Sequence, residues 1–110
     1  MKEKEYKIAK EFNILDMVEK LQNELLQVDG VTEVEFDLSG FYDNLNEVII
    51  LTKYSICDTE KYFEKRKKLK NQVVDIAKGN FLTRTSDRIE DYGEHFYFVF
   101  HCFKEWTNKQ

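Results

Sequence analysis

Asp87, Glu90, Asp91, His95 and His101 are the residues of this chain whose types could do acid–base or metal chemistry. Carboxylates next to imidazole can hold a divalent cation or serve as acid and base. Their spacing argues against both roles. Glu90 and Asp91 fall in a predicted turn, where acids are ordinary. His95 and His101 are six residues apart on one predicted strand, which puts them on the same face but about 20 Å apart. They cannot share a metal, and the plain reading is solvated turn acids and half-buried histidines. Cys102 adjoins His101, but neighbours on a strand face opposite ways, so no cysteine nucleophile is set up. Cys57 and Cys102 form no Cys-x-x-Cys pair and read as reduced, buried thiols. The four glycines are scattered, with no loop to cradle a phosphate. No catalytic residue, metal or cofactor is expected. A metal-dependent enzyme at the Asp87–His95 turn is kept as the weakest alternative.

Two charged stretches offer binding rather than catalysis. Residues 31–60 carry seven acids against one lysine, a net of −6, and residues 61–80 carry seven bases against two acids, a net of +5. The acidic part contains Glu33, Glu35 and Asp37 at strand spacing, with Asp43 and Glu47 close by. Such a row can engage a Lys/Arg-lined groove of a nucleic-acid-binding protein. It can also do no more than keep an edge strand from pairing with another chain. The basic part contains Lys65, Arg66, Lys67, Lys68 and Lys70. It can bind phosphates from a helix face, or be a solvated surface. The overall charge of −4 speaks against a protein whose main task is holding a nucleic-acid backbone.

These residues must be carried by regular elements, and the run 93–103 organises them. Its aromatic and β-branched side chains suit a strand. Phe96, Phe98, Phe100 and Cys102 point one way; His95, Tyr97, Val99, His101 and Phe103 point the other. A strand apolar on both faces is central. Earlier in the chain, Leu15, Val18, Leu21, Leu25 and Val28 form a helical stripe, with Asn13 as N-cap and Asp29-Gly30 as its stop. Residues 1–12 extend that helix or form a charged arm. Strand one spans about 31–38, an edge with one wet face. Phe41 and Tyr42 stand near the tip of a loop. Strand two spans about 46–54. The second helix is capped by Asp58 or Thr59 and ends at Gly79. Strand three spans about 81–89, and residues 104–110 form a tail.

The predicted order is α-β-β-α-β-β in one α+β domain over residues 1–110. Two hairpins give a four-stranded antiparallel sheet of order 1-2-4-3 with two helices on one face, a permuted ferredoxin-like arrangement. The second face then carries Tyr97, Val99 and Phe103, with Ile49 and Leu51 if the registers match. Left bare, it is a larger apolar patch than monomers usually expose, so a homodimer is expected unless residues 1–12 or the tail around Trp106 fold over it. A 42% hydrophobic and 15% aromatic composition favours a folded globule over disorder. No apolar run approaches a bilayer span and residues 1–10 have no signal-peptide core, so no membrane role and a cytoplasmic location are expected.

With no proline and a bias toward Lys, Glu, Asn, Ile, Phe and Tyr, the chain has the composition of an AT-rich bacterial genome or its mobile elements. In size, acidity and lack of a catalytic motif it resembles the small accessory proteins of phages and conjugative elements of low-GC Gram-positive bacteria, anti-CRISPR inhibitors among them. The resemblance rests on overall character and carries over no individual residue. It implies a non-enzymatic protein-binding module that inhibits or modulates a nucleic-acid enzyme. A nucleic-acid-binding domain using the basic helix is the second reading.

Overall fold

Alternation along the strands decides which side of the sheet the helices cover. The computed structural model describes residues 1–43, 45–55, 62–80, 82–92 and 95–104. Its elements are α1 (Glu3–Glu11), α2 (Leu15–Leu26), β1 (Val31–Asp37), a 3-10 turn (Ser39–Asp43), β2 (Glu47–Ser55), α3 (Tyr62–Gly79), β3 (Leu82–Asp91) and β4 (His95–Lys104). All neighbouring strands are antiparallel, in the order β1-β2-β4-β3. Phe96, Phe98, Phe100 and Cys102 are buried in one cluster with Val34, Phe36, Val48 and Ile50 of the sheet. Val18, Leu21 and Leu25 of α2 and Leu69, Val73 and Ala77 of α3 complete that cluster from above. Each fully buried phenylalanine contributes on the order of 2–3 kcal/mol relative to exposure.

The expectation of two helices fails at the N-terminus, where Glu3–Glu11 form a separate helix. Glu3 and Glu5 lie in its first turn and Lys10 in its last, signs that suit the helix dipole. Asn13 does not cap α2. It takes φ +59°, and its amide reaches Lys10 O while the Ile14 amide reaches Ala9 O at 2.8 Å. These two bonds are a Schellman closure of α1, with asparagine where glycine is usual. Ile14, carried past the closure, packs into the cluster that holds Ile8 and Ala9. No side chain caps α2, whose N-cap is Ile14.

Other boundaries shift for local reasons. Glu90 and Asp91 belong to β3 and not to a turn, because the pairing with β4 continues to Asp91↔Phe96. Phe41 is not a loop tip; the 3-10 turn folds its ring inward, 2% exposed and 5.4 Å from the Phe12 ring. Gly30 does take a positive φ, +92°, in the turn that joins α2 to β1. At the far end of α3, buried Asn80 donates to Glu24 Oε1 at 2.7 Å and to Ile76 O at 2.9 Å, tying α3 to α2. The predicted caps Asp58 and Thr59, together with Cys57 and Trp106, lie outside the described residues.

Candidate functional site

The sheet face away from the core assembles most of the predicted binding residues. Pairing places Glu35, Leu51, Val99 and Arg88 in one row across β1, β2, β4 and β3. The next rows are Asp37, Ile49, His101 and Ser86 on one side, and Glu33, Lys53, Tyr97 and Glu90 on the other. Glu47 lies opposite Phe103. The registers therefore match: Ile49 and Leu51 join Tyr97, Val99 and Phe103 in one apolar strip. Val99 at its centre is 1% exposed and Phe103 near its end is 41% exposed. Acids of β1 border the strip on one side, and Arg88 and Glu90 border it on the other. Asp43 stands exposed on the 3-10 turn instead.

The acidic row is less bare than its sequence suggests. Lys2, just ahead of α1, places Nζ 3.5 Å from Glu35 Oε1. Glu5 is buried and its Oε2 accepts the Leu38 amide at 2.9 Å, which anchors α1 at the end of β1. Glu33 and Glu35 hydrogen-bond each other; this holds the Glu33 carboxyl above its usual range and Glu35 below it, helped by Lys2. The Ser39 amide donates to Asp37 Oδ1 at 2.9 Å and pulls Asp37 below its usual range. Sequence reasoning missed this, because nothing in the Lys/Glu pattern of residues 1–10 says where that segment docks.

Across the strip a polar chain runs from β2 to β3. Glu47 Oε2 lies 3.7 Å from His101 Nδ1, and His101 Nε2 lies 2.7 Å from Arg88 Nη1. A guanidinium only donates, so Nε2 accepts and the ring proton sits on Nδ1, toward Glu47. Arg88 also grips Glu90 Oε2 through Nε at 3.1 Å and Nη2 at 2.9 Å. Tyr92 Oη donates to Glu90 Oε1, and the nearby carboxylate pushes the phenol up. With its lone pair held by Arg88, His101 is not placed to act as a general base.

The predicted acid–imidazole cluster is not brought together. Asp87 and Asp91 pair with Phe100 and Phe96 on the helix side of the sheet, whereas Glu90 and His95 lie on the open face. His95 stacks on Tyr92 at 5.4 Å and meets Tyr97 edge-on. Among the described residues, no three His, Cys, Asp or Glu side chains gather as a metal site. Cys102 is a free, buried thiol that donates to Val48 O at 3.0 Å, and burial pushes it up to about 12.

The basic run is divided by the helix. Arg66, Lys67 and Lys70 share a flank of α3 with Phe63 and line a cleft of ≈ 350 Å³ against β3. Lys65 and Lys68 are not part of that lining. Lys70 Nζ is 3.8 Å from Asp87 Oδ1. Among the described residues, no helix is long and apolar enough to cross a membrane. No family model matches the chain, and neither a curated protein nor a solved structure matches it.

Proposed function

We propose that this chain is a non-enzymatic protein-binding module working through the open face of its sheet. Its concrete form is a mobile-element inhibitor or modulator of a cytoplasmic nucleic-acid enzyme, anti-CRISPR-like in character. One observation carries the reading: a single face joins the apolar strip Ile49, Leu51, Tyr97, Val99 and Phe103 to the border acids Glu33, Glu35, Asp37 and Glu47. An apolar centre supplies affinity, and a charged border steers and selects a partner. The partner that fits is a basic surface with an apolar spot, which is how a nucleic-acid channel looks when empty. The fold reading behind this is a permuted ferredoxin-like sheet, with the helix–hairpin order of the chain as its support.

The test is affinity capture from a nuclease-treated lysate of a low-GC Gram-positive bacterium, with parallel Glu33→Lys/Glu35→Lys/Asp37→Lys and Phe103→Asp variants. Both variants should lose a nucleic-acid enzyme that the unsubstituted chain retains. Capture that survives both changes, or that disappears on nuclease treatment alone, refutes the reading.

The same strip also suits a second copy of the chain, and sedimentation equilibrium should then find a dimer that Phe103→Asp converts to a monomer. The second functional reading, a nucleic-acid-binding domain, is favoured by Arg66, Lys67 and Lys70 on one helix flank. It requires binding that weakens steeply with salt and fails in an Arg66→Glu/Lys67→Glu/Lys70→Glu variant.

A further inference from the structure

The cleft between α3 and β3 has a composition that the open face does not share. Its rim is Arg66, Lys67 and Lys70, its floor is Ile89 and Phe98, and Phe63 stands at its mouth, 75% exposed. Arg88 and Asp87 complete the lining. The Arg88 guanidinium is turned to Glu90 and His101 on the other face, so three cations face one carboxylate around an apolar floor. The Arg66 guanidinium lies 5.5 Å from the centroid of the Phe63 ring. β3 is the outermost strand on this side, so the groove runs along a sheet edge beside a helix. Grooves of that kind accept extended peptides, whose backbone follows the strand while alternate side chains reach the floor.

We propose that this groove docks an acidic peptide segment carrying a bulky apolar residue. The apolar residue enters between Phe63, Ile89 and Phe98, and flanking carboxylates meet Arg66, Lys67 and Lys70. A single-stranded nucleic acid fits less well. Such ligands are held by successive exposed rings and an unbroken cationic track. Here the rim has one exposed ring, Phe98 is buried as floor, and Asp87, 3.8 Å from Lys70, interrupts the positive track. The groove opens on the helix side of β3, away from the apolar strip, so its failure would leave the open-face reading standing.

Fluorescence anisotropy at ~0.15 M salt, where exposed charges beyond about 8 Å are screened, provides the test. The probes are a fluorescein-labelled EDFLDE peptide, its uncharged counterpart QNFLNQ and a labelled oligothymidine. The acidic peptide should bind saturably and at least about tenfold more tightly than the uncharged one. Arg66→Glu/Lys67→Glu should weaken it by about tenfold or more, and Phe63→Ala by about fivefold. Lys65→Glu/Lys68→Glu makes the same change in net charge outside the groove and should weaken it by less than about threefold. Amide shifts on the unsubstituted protein should fall on residues 63–70 and 87–89. The proposal is overturned by absence of saturable binding, by tighter binding of the oligothymidine, by equal losses in the two double variants, or by shifts confined to Leu51 and Val99.

Discussion

Gly30→Ala perturbs the joint between the helices and the sheet, and its effect can be worked out from two separate sources. The residue sits at φ +92°, a conformation that costs an L-residue about 1–2 kcal/mol. A Cβ there would also overlap the ring of Tyr54, with the phenol oxygen only 2.6 Å away. That ring is not at liberty to swing aside, because it stacks on buried Phe96 at 5.3 Å and 20°. Forcing extra atoms into such a contact costs roughly 1–3 kcal/mol more. The total, about 2–5 kcal/mol, is a large part of the roughly 5–15 kcal/mol typical of a domain. A double-mutant cycle with Tyr54→Ala separates the two sources, since removing the ring leaves only the backbone strain. Urea denaturation should then give Gly30→Ala a cost of only about 1–2 kcal/mol in the Tyr54→Ala background, and a coupling of about 1–3 kcal/mol. If the two changes add to within about 0.5 kcal/mol, the ring does not cover Gly30 and the reasoning fails.

Two further outcomes follow from the site and its supports. Asn13→Ala should cost about 1 kcal/mol and lower the melting temperature by about 4–8 °C, whereas Asn13→Gly should hold or raise it; equal melting of the two would remove the left-handed closure of α1. Burial raises the Cys102 thiol to about 12, so its contribution to stability is fully present below the unfolded value near 9 and is lost as pH rises toward 12. In a Cys57→Ser background, stability should therefore fall by up to about 1.4 kcal/mol per pH unit more steeply across that window than in the same protein carrying Cys102→Ala. Parallel profiles would show that Cys102 ionises as freely in the fold as in the open chain.

The strands were legible because their side chains obey a period of two. Phe96, Phe98, Phe100 and Cys102 are buried as their alternation requires, and Val34 and Phe36 likewise divide from Glu33, Glu35 and Asp37. The stripe of α2 was legible for the same reason at the helical period. What could not be read was anything set by docking. Ile8 and Ala9 are a weak apolar signal among seven charged residues in the first eleven, and only their contact with Ile14 and the sheet makes α1 a helix of the core. Asn13 carried the signal for either end of a helix, and the sequence does not say which helix needed it more. Among the site residues, Tyr97, Val99 and Phe103 could be assigned to one face from alternation alone. The Glu47–His101–Arg88–Glu90 chain could not, because it depends on registers between three strands and on the irregularity between Arg84 and Ser86. The division of the basic run is also tertiary, since α3 can turn only one flank toward β3.

The sheet order has a consequence for how the two charged segments work. β1 and β3 are the opposite edges, so the acids of β1 and the bases of α3, which packs against β3, are set at different sides of the sheet. Each is offset locally. Lys2 meets Glu35, Lys53 lies opposite Glu33, and Lys4 adds to the pull on Asp37. On the other side, Asp87 meets Lys70 and Glu90 holds Arg88. These exposed pairs are individually weak, on the order of 0–1 kcal/mol. A partner with a well-placed arginine cluster can displace them at little cost, while a diffuse cationic surface gains little by doing so. Local offsetting therefore lowers the affinity for charge in general more than the affinity for a shaped, partly apolar site.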